Sequence, residues 1–319
     1  MILTVTLNPS VDTLYKMDKL IIDSVNRTSP IKVLGGKGVN AARVSSLLGS
    51  KTIVTGFLGG YNGTFFKDNL NKLVPNNPMK NEFVTCSEET RNCITIMHDK
   101  EKQTEINEFG PKIKDAEIVQ LLSKIKNLIE TNPITVIVLS GSIPRGVPND
   151  IYYKLISFIH SISHEIKVIL DTSQEVLKNT INLCVINDVF PYAVKPNIEE
   201  LKDISTIKTD NVPNLINNCN MEKIPVVIVS EGANGCFAKI KNNCYTAKVK
   251  KIVAINPTGS GDSTVGALAF AFEQKFNDES TLRSAMAAGE SNALEENIGY
   301  ISLTNYKKYY KEVHIQKIN

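Results

Sequence analysis

Long apolar runs are missing from this chain: no segment nears the roughly 18 consecutive apolar residues of a membrane span, and the opening MILTVTLNPSVD has neither the basic flank nor the small-residue cleavage site of a secretory leader. Strong charge of either sign is missing too. A net charge of +3 over 319 residues, with no Lys/Arg run, gives no electrostatic footprint for a nucleic acid and leaves small anions as ligands. The six cysteines (Cys86, Cys93, Cys184, Cys219, Cys236 and Cys244) include no CxxC pair, so neither a zinc site nor a disulfide framework is indicated. They read as core thiols in a reducing cytosol. No internal repeat, low-complexity tract or Pro/Ser-rich linker divides the sequence. What remains is a soluble, cytoplasmic protein, 42% hydrophobic and able to bury a large core, organised as one domain over residues 1–319.

Short apolar runs of strand length recur at Ile2 to Leu7, Thr52 to Leu58, Ile134 to Leu139, Lys167 to Leu170, Ala193 to Val194 and Val226 to Val229. Helical patterns lie between most of them. The clearest spans Ala116 to Ile129, where Ile118, Leu121, Leu122, Ile125, Leu128 and Ile129 keep one helix face. Uniformly apolar strands alternating with helices predict an α/β fold with a mostly parallel sheet covered on both sides. Two segments break the alternation. Thr90 to Phe109 reads as two extended runs joined by a polar turn at Asp99 to Lys102, and Tyr15 to Val33 reads as extended, so together they predict a small β-flap beside the main sheet.

In such a sheet, ligands bind beyond the carboxyl ends of the strands. The residues following the apolar runs include Asn8, Ser10 and Asp12; Ser140 and Gly141; Asp171; Lys195 and Asn197; Ser230, Gly232 and Gly235. Each alone has the composition of an ordinary turn or helix cap. Five such groups on one rim point to a ligand site. The stretch Gly35 to Asn40, GGKGVN, precedes a helix but has neither Walker A nor dinucleotide spacing. On spacing alone the stretch reads as a glycine-rich turn opening a helix, but Asn40, one turn in, offers a donor and an acceptor to sugar hydroxyls while the backbone stays close. In PTGSGDS, Gly259, Ser260 and Gly261 lead into a helix whose N-terminus forms an anion-binding nest. Asp262 could simply cap that helix, worth about 1 kcal/mol. Glycines on both sides of Ser260 instead suit a phosphate, beside which the carboxylate of Asp262 can deprotonate an incoming hydroxyl.

GGKGVN at Gly35 to Asn40, KPNIEEL at Lys195 to Leu201, SEGANG at Ser230 to Gly235 and PTGSGDS at Pro257 to Ser263 resemble, in order and spacing, the PfkB carbohydrate kinases. The resemblance covers essentially the whole chain. It implies a ribokinase-like three-layer α/β/α fold with a small β-sheet lid formed by residues of about 13–34 and 88–109. TLNPSVD, ETRNC, GSIPRG and Ser260 look most like the tagatose-6-phosphate kinase branch, with the 1-phosphofructokinases as the near alternative. By this resemblance, Asp262 is the catalytic base and Gly259 to Gly261 the anion hole. Asp12, Gly36, Lys37, Asn40 and Ser140 bind sugar, and Arg91 clamps the phosphate already present. Lys195, Asn197, Ser230, Gly232, Gly235 and Asn292 bind ATP; Glu200, through water, and Asp171 handle Mg2+. Arg145 and Ser260 depart from the family pattern and bear on substrate fit. The partners implied are a ketohexose monophosphate, ATP and a second copy docked through the lid. An intact Asp262 and both loop glycines speak against a non-catalytic sugar-phosphate sensor. Arg91 and Lys37 suit an anionic acceptor better than a neutral nucleoside.

Overall fold

The computed structural model describes every residue except Lys100, Glu101 and Asn319. The first half of the chain runs β1 (Ile2–Thr6), β2 (Ser10–Lys16), β3 (Pro30–Gly35), α1 (Lys37–Leu47), β4 (Thr52–Leu58), α2 (Gly60–Leu70), β5 (Lys80–Asn81), β6 (Val84–Thr85), β7 (Arg91–His98), β8 (Lys102–Asn107), α3 (Asp115–Thr131) and β9 (Val136–Ser140). There follow α4 (Ile151–Ile162), β10 (Lys167–Asp171), α5 (Gln174–Asn187), β11 (Ala193–Val194), α6 (Ile198–Ile204), α7 (Val212–Asn218), β12 (Val226–Ser230), β13 (Cys236–Ile240) and β14 (Asn243–Lys248). The last elements are α8 (Ser260–Glu273), α9 (Asp278–Ala293), α10 (Leu303–Glu312) and β15 (His314–Ile318).

Strands β5, β4, β1, β9, β10, β11 and β12 lie side by side and parallel, and β13, β14 and β15 extend one edge antiparallel. Strand alternation sends Leu3, Val5, Ile137 and Leu139 into a core with α3, α4 and α5, while Ile2, Val136 and Val138 pack under α8 and α9. Both faces are therefore buried, which is why the strands read as apolar runs rather than as alternating patterns. The chain begins mid-sheet at β1, winds outward to β4 and β5, then returns to β9 on the other side of β1 and winds the opposite way. That reversal leaves a crevice beyond the carboxyl ends of β1 and β9, where open α/β sheets bind ligands.

The flap is a separate four-stranded sheet in the order β3-β2-β7-β8. Asp99 and Lys102 flank its turn as expected, although Lys100 and Glu101 of that turn lie outside the described residues. The expected extended run from Tyr15 to Val33 is corrected: β2 stops at Lys16 and β3 starts at Pro30. Between them Asn26 closes an irregular loop, accepting from the Ile21 amide at 3.0 Å and donating to the Ile21 carbonyl at 2.8 Å. Among the described residues no helix is long and apolar enough to cross a membrane, and the six cysteines are unpaired.

Candidate active site

Gly36 caps α1 with φ +116°, and a Cβ there would press on Thr6 Cγ2 at 2.9 Å and Pro9 Cα at 3.2 Å, so glycine alone lets the helix start against the end of β1. One turn in, Asn40 is 5% exposed and donates from Nδ2 to Asp262 Oδ2 at 2.8 Å. Asp262 lies in the first turn of α8, next to the positive end of the helix dipole. The turn before it depends on Gly259 at φ +82°, where a Cβ would sit 2.6 Å from the Gly299 amide nitrogen. Residues 222 positions apart in sequence thus meet at one carboxylate.

Behind that carboxylate stands a buried polar cluster. Asp171, at the end of β10, accepts from Ser140 Oγ at 2.9 Å and lies 3.5 Å from Lys195 Nζ, with side-chain exposures of 6% for the lysine and 4% for the aspartate. Burial opposes ionisation of Asp171, but Lys195, Lys37 and the Ser140 hydroxyl outweigh it and hold the carboxyl below its usual range. Asp171 in turn raises Lys37, against burial and with help from Asp262 and Glu200. A Cβ on Gly261 would lie 3.3 Å from Lys195 Nζ, so this ammonium stands beside the glycine loop. Asp262 itself is pushed up to about 6, first by burial and then by the negative charge of Asp171, while Asn40, Lys37 and Lys195 pull the other way.

Ser230, Gly232 and Gly235 line a cavity of about 270 Å³ together with Ser260 and Gly261. Arg91 and Arg145 line a second cavity of about 390 Å³ with Glu88, Glu89 and Glu108. Arg91 pairs in register with Ser10, whose hydroxyl donates to Asp12 at 2.6 Å. Its Nη2 donates to the Asn8 carbonyl at 3.1 Å, and its buried Nε has no partner. Asp12 is raised by burial, against the Ser10 hydrogen bond and the charge of Arg91.

The chain matches the family model of the pfkB family carbohydrate kinases over residues 10–303. It belongs to the PfkB family of carbohydrate kinases. Among solved structures it is similar to a provisionally assigned phosphofructokinase from Staphylococcus aureus (28% identity, TM-score 0.82, covering 100% of this chain and 99% of that one). It is also similar to phosphofructokinase-2 from Escherichia coli, solved with substrates and products (25%, 0.83, 98% of each chain). A provisionally assigned 1-phosphofructokinase from Thermotoga maritima shares the fold (24%, 0.82, 100% of each chain). The three-layer, ribokinase-like architecture expected from the motifs is the one observed.

Two of the predicted site residues are engaged by other protein groups. Asn292 is 0% exposed, donates to the Thr258 carbonyl at 2.9 Å and to Ser260 Oγ at 3.2 Å, and accepts from Ser263 Oγ at 3.0 Å and the Tyr300 amide at 3.2 Å. With its amide fully engaged, it braces the glycine loop from behind. Asp171, with Ser140 and Lys195 on its two oxygens, is the counter-ion of the lysine cluster rather than an open metal ligand. Asn197 and Glu200 form a reciprocal helix cap at 2.9 and 2.7 Å, which accounts for the Asn-x-x-Glu spacing at the level of local structure. Glu200 keeps its second carboxylate oxygen, and the described residues contain no group of three or more His, Cys, Asp or Glu able to cage a metal. That donor set fits a magnesium ion that keeps its waters and relies on nucleotide oxygens.

The sequence reading passed over Arg43. It is 2% exposed on α1 and donates to the carbonyls of Leu34 at 2.9 Å and Ile298 at 2.6 Å, tying the end of β3 to the segment packed on Gly259. The available signal was an arginine among the small apolar residues Val39, Ala41, Ala42 and Val44.

Proposed function

We propose that the chain is an ATP-dependent kinase of a ketohexose monophosphate, converting tagatose 6-phosphate to tagatose 1,6-bisphosphate by direct in-line transfer. The observation that carries this reading is Asp262, held by Asn40 in the first turn of α8, where the preceding glycine loop borders a cavity. Asp262 takes the proton of the C1 hydroxyl, whose oxygen attacks the terminal phosphorus as the bond to the bridging oxygen breaks. The Gly259 to Gly261 amides and Lys195 absorb the charge on the transferring group. Arg91 holds the phosphate the sugar already carries, and Ser230, Gly232 and Gly235 border the nucleotide. Glu200 would hold magnesium through water, and the ion would supply charge neutralisation for the nucleotide phosphates. The lid excludes water.

The second reading is phosphorylation of the C6 hydroxyl of fructose 1-phosphate by the same groups. An ADP-release assay on the purified protein with tagatose 6-phosphate, fructose 6-phosphate and fructose 1-phosphate decides between them by kcat/KM. Highest efficiency on tagatose 6-phosphate supports the first reading, and preference for the 1-phosphate moves the assignment to the second. Tight sugar-phosphate binding with no ADP formed replaces both with a sensor.

Arg91→Ala is expected to raise KM for the phosphorylated sugar roughly 10- to 100-fold, the range for losing charge-assisted hydrogen bonds, with little change in KM for ATP. Equal effects on both substrates would remove Arg91 from the sugar site. We also read the chain as a single cytoplasmic domain that dimerises through its lid, where Ile31, Met97 and Ile106 are exposed on the strands. Sedimentation of the protein beside an Ile31→Lys/Ile106→Lys variant tests this, with the monomeric form expected only for the variant.

A further inference from the structure

Arg43 is a buried charge whose hydrogen bonds, among the described residues, go to carbonyls alone. Its Nη1 donates to Ile298 at 2.6 Å and Gly299 at 3.4 Å, its Nη2 donates to Leu34 at 2.9 Å, and its buried Nε has no partner. A guanidinium kept from water without a carboxylate against it is costly, and a well-packed apolar side chain often serves stability as well. Burial lowers its pKa to about 10, against the charges of Asp12 and Asp262, so it stays positive at neutral pH.

The carbonyls it holds belong to the backbone on which the site rests. Gly299, at φ +63°, lies so close to Asn40 that a Cβ there would sit 2.7 Å from Asn40 Oδ1, and Asn40 is the donor to Asp262. At the other end, Leu34 is followed by Gly35, whose missing side chain leaves the room that the Asp12 carboxylate fills. We propose that Arg43 is the positioning residue of both site carboxylates: by bridging β3 to residues 298–299, it places Asp262 through Asn40 and Asp12 through Gly35. The inference rests on the kinase reading, in which Asp12 binds the sugar whose hydroxyl Asp262 deprotonates. A planar fork spans two carbonyls from separate segments, whereas a lysine ammonium is a point charge on a flexible stem. The charge has a second effect. It favours ionised Asp262 together with Asn40 and Lys37 of the same helix and Lys195 beyond β11, against burial and Asp171 of β10. At Asp12 it acts with Ser10 and Arg91, against burial and Glu105.

The test compares the unmodified protein with Arg43→Lys, Arg43→Met and Gly299→Ala at saturating ATP, with rates scaled to the folded fraction from urea unfolding. Arg43→Lys keeps the charge and loses the fork; kcat should fall roughly 10- to 100-fold, the range for a misplaced reacting group, and KM for the sugar phosphate should rise several-fold. Gly299→Ala keeps every charge and presses on Asn40, so its kcat should fall in the same way. In both, the acidic limb of kcat/KM should stay at about pH 6. Arg43→Met removes the charge as well, and its limb should move up by roughly half a unit or more. A merely structural arginine would lower the urea midpoint and leave these kinetic values alone. Unaltered kcat in Gly299→Ala or in folded Arg43→Lys overturns the proposal, as does an Arg43→Met limb left in place; should neither arginine variant fold, Gly299→Ala decides. Absence of turnover by the unmodified protein on every ketose phosphate defeats the kinase reading instead.

Discussion

Asp262→Asn is expected to lower kcat by roughly 10²- to 10⁴-fold and, at the same time, to make the protein harder to melt. The first effect follows from removing the group that accepts the hydroxyl proton, while Asn40 and the loop amides stay in place and KM for ATP stays close to its original value. The second follows from linkage. Burial and the charge of Asp171 push Asp262 up to about 6, so its folded value lies above its unfolded one. Such a carboxyl destabilises the fold when ionised, and the penalty shrinks as pH falls below about 6 and is gone below the ordinary aspartate value. The displacement corresponds to roughly 3 kcal/mol at neutral pH, which the uncharged asparagine relieves, raising Tm by several degrees. The base must be ionised to act, so kcat/KM of the unmodified protein should fall below about pH 6. Turnover near normal in Asp262→Asn would remove the base from the mechanism; a lowered Tm would contradict the electrostatic account.

How much of this was readable without a structure depends on whether the information is local. The apolar runs of β1, β4, β9, β10 and β12 were visible because a strand buried on both faces leaves no alternation to be confused with a surface. The loops at Gly36 and Gly259 were visible because left-handed turns at helix starts demand glycine. Strand β15 was not visible: His314, Gln316, Lys317 and Ile318 are exposed at an edge, and exposure removes the pattern that marks a strand. Nor could spacing show that Asn292 braces Thr258 and Ser260 some 32 to 34 positions away, or that Arg43 spans 255 positions to Ile298. Those links come from tertiary packing, and a lone polar residue in a helix pattern does not say which neighbour it will find.

The same limit hid the pairing of Asp171, whose partners Ser140 and Lys195 stand at the ends of the two strands beside β10, and the consequences of changing it separate structure from chemistry. Asp171→Asn keeps the shape but leaves Lys195, with 6% side-chain exposure, without its counter-ion. Breaking one side of a buried pair costs about 3–5 kcal/mol, so urea and thermal unfolding should both shift markedly. The folded-state pKa of Asp171 is depressed, which means that its contribution is present at neutral pH and lost on acidification; the variant should show a flatter loss of stability as pH falls below the ordinary aspartate range. A second effect is electrostatic and moves in the other direction for the base. Without the negative charge that opposes its ionisation, Asp262 titrates lower, and the acidic limb of kcat/KM should move below the pH of the unmodified protein. Asp171→Glu retains the charge and should keep the limb near its original place even if packing suffers. A purely structural Asp171 would lower Tm and the active fraction in both variants and leave the limb at about pH 6. The pH profile, not the loss of activity, therefore decides whether the carboxylate behind the lysines acts on the base.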